Sequence, residues 1–177
     1  MTDTERDFVL RNLEEGRDVF LRSIEGLSEA QLHFKPRPDR WSIADCIEHI
    51  VLAEDTMYAK ATQGEPNPNG DSLDPEKYER FTAAVVARRR RVEAPEPMRP
   101  ANHFASVDAA RSHFLAQRDR AIAYARDCSE DLRHLFATHP LLGEIDCYRF
   151  LLLLALHPAR HAAQIEEIKT DPAFPKA

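Results

Sequence analysis

Apolar residues recur at steps of three and four in four long stretches of this chain, which is the period of an amphipathic helix and not the alternation of a strand. The first stretch, about Thr4 to Leu27, carries Val9, Leu13, Gly16, Phe20, Ile24 and Leu27 on one face. The second begins at Ser42 and runs to about Gln63, with an inward stripe of Ile43, Ile47, Ile50, Glu54 and Met57. The third opens at Ser106 and reaches Asp127 or Cys128, with Val107, Phe114, Ala121, Ile122 and Ala125 facing in. The fourth starts near Asp146 and stops before Pro172. The pattern predicts an all-α helical bundle, one domain over residues 1–177.

Local signals mark the ends of these elements. Ser42-Ile-Ala-Asp45 puts a hydroxyl at the N-cap and an acid three residues on, and Trp41 just before it can staple the entry of the second helix. Ser28-Glu-Ala-Gln31 can cap a single turn between the first two helices. The long connection from Gly64 to Pro100 opens as a Pro/Asn/Gly-rich loop. Asp74-Pro75-Glu76 then starts a short extra helix to about Arg91, carrying Tyr78, Phe81, Val85 and Val86. Arg88 to Arg91 suit its last turn, Val92 to Pro100 reads as a linker, and Ser129 to Glu144 as turn and loop.

The fourth stretch is the most apolar, and it holds His157 and His161 on the face shared by Phe150, Leu154, Ile165 and Ile168. Two stacked inward imidazoles need partners for both ring nitrogens, and one metal ion answers for both. A catalytic zinc-type site wants at least three protein ligands and one open position. His49, at the seam of the second helix, is the best third candidate, so the proposed ligands are His49, His157 and His161. An all-imidazole set suits zinc, nickel, iron or copper over calcium or magnesium. The competing reading is a set of core histidines satisfied by hydrogen bonds. His33, His103, His113, His134 and His139 lack this context and read as surface or loop residues.

Leu151, Leu152 and Leu156 lie off the histidine stripe, so the last helix is apolar nearly all round. Either it is central, or its back face meets a second subunit. Pro158, between the two histidines, lacks an N–H and crowds the carbonyl of Leu154, which predicts a kink, a local widening or a new segment there. Gln164, one turn after His161, can bond a ligand from behind. Cys46, one turn before His49, reads as core filler. Among the carboxylates, Glu54 lies on the inward stripe and is the first candidate for acid–base catalysis.

The remaining composition narrows the partners. A net charge of −6 argues against non-specific nucleic-acid binding, and the run Arg88-Arg-Arg-Arg91 has no interleaved aromatics. The charged start carries no signal peptide, and the run Phe150 to Leu156 is too short to span a bilayer. Cys46, Cys128 and Cys147 are widely spaced and read as reduced thiols of a cytoplasmic protein. Glycine-rich phosphate loops, G-x-S-x-G and H-E-x-x-H are absent from the sequence.

Three segments, Arg40-Trp-Ser-Ile-Ala-Asp-Cys-Ile-Glu-His49, His139-Pro-Leu-Leu-Gly143 and His157-Pro-Ala-Arg-His161-Ala-Ala-Gln-Ile165, resemble the DinB/YfiT-like superfamily in order and spacing. The resemblance runs from the first helix to Ile168. It implies an up-down-down-up four-helix bundle with a divalent metal held by His49, His157 and His161 in a cleft at one end, and frequent homodimers. Pro158 inside the ligand motif and the long segment from Gly64 to Pro100 depart from the family pattern.

The expected function is that of a metal-dependent enzyme binding zinc, nickel or iron and acting on a small-molecule substrate. An open metal position would take a low-molecular-weight thiol for transfer to a small electrophile, or water for hydrolysis. The alternative is a non-enzymatic, stress-related bundle with structural metal or none, acting as a dimeric interaction module.

Overall fold

The computed structural model describes residues 1–68, 75–87 and 93–176. Among them, four long helices carry the fold: α1 (Asp3–Ile24), α3 (Ile43–Thr62), α5 (Val107–Asp127) and α6 (Cys147–Lys169). Two shorter helices are α2 (Glu29–Leu32) and α4 (Pro75–Val86), and Glu96–Met98 forms one 3-10 turn. The Asp74 cap and the Arg88–Arg91 run lie outside the described residues.

The helix starts follow the capping chemistry. Ser42 Oγ accepts from the Asp45 N–H at 3.1 Å and the Asp45 carboxylate accepts from the Ser42 N–H at 2.8 Å, so both arms of the box are made. Ser28 and Gln31 close the same box on α2, and Thr2 with Glu5 on α1. Ser106 caps α5 and Asp146 caps α6.

Contacts along the helices fix their directions. Arg6, near the start of α1, donates to the carbonyls of Arg126 and Cys128 at the end of α5, so these two are antiparallel. Asp55 meets His113, and the Tyr124 hydroxyl reaches the Ala61 carbonyl, so α3 and α5 run together. The Cys147 thiol reaches the Lys60 carbonyl while His49 faces His157 and His161, so α6 opposes α3 and runs with α1. The α1–α6 packing is tight at one point: a Cβ on Gly16 would lie 2.6 Å from the Ala155 carbonyl oxygen.

The expected loop at Ser129–Glu144 is instead partly strand. β2 (Leu135–His139) and β3 (Gly143–Asp146) pair antiparallel, and the two-residue β1 (Glu65–Pro66) adds to β2. Only Phe136 and Ile145 of this hairpin reach the core, too short an alternation to register as a period. Gly143, at φ +72°, supplies the left-handed residue where the hairpin turns back.

The apolar back of α6 is covered within the chain. Leu151 to Leu154 and Leu156 are all buried, and Tyr78, Phe81 and Val85 of α4 pack against that part of the core. The helix is central, so its apolar back is not left for a second subunit. The Val92–Pro100 linker holds the 3-10 turn, which lies against α3. All three cysteines are buried and none forms a disulfide. Among the described residues, no helix is long and apolar enough to cross a membrane.

Candidate metal centre

The apolar core falls into two clusters, one around Leu13, Met57, Ala121 and Leu152, the other around Phe20, Ile47, Phe114 and Ile165. Between those residues in sequence stand Glu54 on α3, Arg118 on α5, and His157 and His161 on α6. The polar side chains thus form a layer inside the bundle.

His49, His157 and His161 converge in that layer. Their ring centroids are 5.2 Å (49–157), 4.8 Å (49–161) and 4.4 Å (157–161) apart. One ring nitrogen from each lies within 4.8 Å of the other two. His157 Nε2 and His161 Nε2 are 3.1 Å apart. Two nitrogens on one tetrahedral zinc, each at ~2.0–2.1 Å, would be separated by roughly 3.3 Å, so this pair already has the spacing of co-ligands. His49, placed by sequence at a seam, is only 6% exposed and turns fully toward the C-terminal pair.

The surroundings prepare the nitrogens for this work. His49 Nδ1–H donates to the Met98 carbonyl at 2.8 Å, and His161 Nδ1–H donates to Gln164 Oε1 at 3.1 Å. In both rings this tautomer leaves the Nε2 lone pair for an ion, and the outer bond fixes the ring plane. Burial holds His49 below the usual imidazole range, against the pull of the Met98 carbonyl. Burial, reinforced by the neighbouring His161 and His49, holds His157 well below it. Neutral imidazole is the ligating form. His157 Nδ1 is buried and finds no hydrogen-bond partner among the described residues.

Trp41 does more than staple the helix entry. Its ring centroid is 4.7 Å from that of His49 and 6.4 Å from that of His161, where the planes are 24° from parallel, so the indole covers one side of the centre. The strap from the 3-10 turn to His103 is tied down beside it. Glu48 accepts from three consecutive backbone N–H groups, Ala101 at 3.1 Å, Asn102 at 3.2 Å and His103 at 2.6 Å. The strap supplies the Met98 carbonyl, so Glu48 and His49, adjacent in sequence, hold it at two points.

Cys46 is fully buried but lies outside the group of donors, as does Glu54. The Glu54 carboxylate is 1% exposed, and its Oε1 takes Nε and Nη2 of the fully buried Arg118. Burial pushes the Glu54 carboxyl up to about 7, opposed by the Arg118 charge. α6 runs unbroken through Pro158, with no new segment starting there. The carbonyl that Pro158 cannot serve, Leu154, accepts from Arg118 Nη2 at 2.6 Å. Sequence reasoning missed Arg118, although Phe114, Arg118, Ala121 and Ala125 step by four, three and four along the inner face of α5. An arginine on that stripe facing an inward glutamate was a legible sign of a buried pair. Glu48 and the strap had no such sign, because a carboxylate bonded to loop backbone leaves no period.

A search against known proteins places this geometry. YuaE of Bacillus subtilis (strain 168), an uncharacterized protein, is 23% identical over 146 residues, spanning 82% of this chain and 88% of the relative. Among solved structures, YfiT from Bacillus subtilis, described as a probable metal-dependent hydrolase with an unusual four-helix bundle topology, superposes with a TM-score of 0.63 at 16% identity, covering 99% of this chain and 91% of YfiT. TT2238, a four-helix bundle protein, gives 0.51 at 19% identity over 92% and 98% of the two chains. These two similarities concern the fold. The sequence itself matches the DinB superfamily over residues 12–165, which includes all three converging histidines, and the chain belongs to that superfamily.

Proposed function

We propose that the protein is a metal-dependent enzyme whose centre is held by His49, His157 and His161 and activates a nucleophile for attack on a small electrophilic substrate. The observation that carries this reading is the three-histidine convergence with no fourth histidine, cysteine or carboxylate in the group among the described residues. A structural zinc site is closed by four protein ligands; three ligands leave a place for chemistry. Zinc, nickel and iron all suit the donor set. A divalent ion held there supplies Lewis-acid chemistry that activates a thiol or a water.

The chain's own residues keep the imidazoles neutral by burial and aim two of them through the Met98 carbonyl and Gln164. Trp41 shields one side from solvent. In this reading the nucleophile is a low-molecular-weight thiol or water, and YfiT's description as a probable metal-dependent hydrolase favours keeping water in the comparison. Glu54 enters as the candidate proton carrier, since burial brings its carboxyl near neutrality and its Oε2 has no hydrogen-bond partner among the described residues. Loss of a pH-rate limb near neutrality in Glu54→Gln would support that role; an unchanged profile would remove it.

The test is elemental analysis of protein made without a histidine tag, beside His157→Ala and His161→Ala. Zinc-, nickel- or iron-loaded protein is then screened with thiol donors and with ester and amide substrates. One equivalent of metal, lost in both variants, with turnover that follows loading, is the expected result. Loss of folding on chelation, without any turnover, would favour a structural role instead.

A further inference from the structure

Arg118 is fully buried on α5, yet its guanidinium serves three other helices at once. Nε and Nη2 donate to Glu54 on α3, Nη1 donates to the Leu13 carbonyl on α1 at 3.4 Å, and Nη2 donates to the Leu154 carbonyl on α6 at 2.6 Å. The last contact is the informative one. In an unbroken helix the Leu154 carbonyl accepts the N–H of residue 158, and residue 158 is proline. That carbonyl lies in a dry core, where an unpaired acceptor is strongly unfavourable. The guanidinium occupies the vacancy one turn before His157 and His161, and Glu54 fixes its plane.

We infer that Arg118 is a positioning residue of the centre: its guanidinium replaces the backbone donor that Pro158 lacks and so holds the turn of α6 that presents His157. The inference rests on the three histidines being a metal centre. A buried ion pair with no such task would stabilise the core equally whatever residue stood at 158. Arg118 acting through the Leu154 carbonyl must instead lose its importance once residue 158 carries an N–H. Lysine cannot substitute, because one ammonium held by Glu54 lacks the planar fork that reaches the carbonyl.

The experiment is a cycle of Arg118→Lys, Arg118→Met, Pro158→Ala and the two double variants, read by Co2+ affinity, by the Co2+ visible spectrum and by amide hydrogen exchange. In the proline background, Arg118→Lys is expected to weaken Co2+ binding at least tenfold and alter the spectrum. In the Pro158→Ala background the same substitution should weaken binding less than threefold. Exchange at the amides of His157, Arg160 and His161 should accelerate at least tenfold in Arg118→Lys and recover in the double variant. Equal weakening in both backgrounds, or exchange that ignores Arg118, overturns the proposal. If Arg118→Met fails to fold, rescue by Pro158→Ala supports it and failure in both backgrounds overturns it. A wild-type protein that binds no Co2+ would refute the metal reading, while the exchange comparison would still decide what Arg118 does.

Discussion

Removing the Glu48 carboxylate should release the strap that orients His49. Glu48 is 8% exposed and accepts three backbone N–H groups, two at Oε1 and one at Oε2. Hydrogen bonds to a charged group contribute about 1.5–3 kcal/mol each. The three share one carboxylate, and the freed N–H groups regain water when the strap lifts, so Glu48→Ala should cost about 2–4 kcal/mol. At a urea slope of ~2 kcal/mol/M that is a midpoint shift of roughly 1–2 M. The strap also carries the Met98 carbonyl that fixes the His49 ring at 2.8 Å, and losing such an orienting partner lowers metal affinity about 10–100-fold. Glu48→Gln should fall between, because Gln keeps one acceptor and turns an amide donor toward a backbone N–H. Urea unfolding and a competitive Zn2+ titration measure the two effects. A stability loss with metal affinity unchanged within about twofold would show that the strap does not orient His49.

Trp41 is the single tryptophan of the chain and lies against His49, so Co2+ or Cu2+ should quench its fluorescence at one equivalent, and His161→Ala should abolish the effect; quenching that survives His161→Ala places the ion elsewhere. The metal-free protein should lose stability as pH falls below about 6.5, because the unfolded chain takes protons that buried His49 and His157, with lowered pKa values, refuse. Glu54 acts in the opposite sense, its raised pKa costing stability as pH rises from about 4.5 to about 7. Subtracting His157→Leu isolates the histidine term: its urea midpoints should fall less steeply between pH 6.5 and 5 than those of wild type, and parallel curves would contradict this. Gly16→Ala should destabilise by about 1–3 kcal/mol, since the new methyl would sit 2.6 Å from the Ala155 carbonyl, whereas helix propensity alone predicts a gain of about 1 kcal/mol; thermal unfolding gives the sign.

The sequence by itself determined the long helices and much of the centre. Ser42 and Asp45 make the predicted cap, because capping uses atoms three residues apart and needs no tertiary partner. His157 and His161 share the face of Ile165 and Ile168, because the helical repeat fixes which side chains stack. Gln164 meets His161 for the same local reason. Only the tertiary structure decided the rest. Whether His49 turned inward depended on how α3 packs on α6, and whether α6 needed a second copy depended on α4 folding over its back. The hairpin at Leu135–Asp146 takes its pairing from residues opposite in space, and two buried side chains are too few to mark it in the sequence. The Arg118 contact with the Leu154 carbonyl and the Glu48 clamp join a side chain to a distant backbone group. Every residue presents the same backbone atoms, so such bonds leave no trace until the chain has folded.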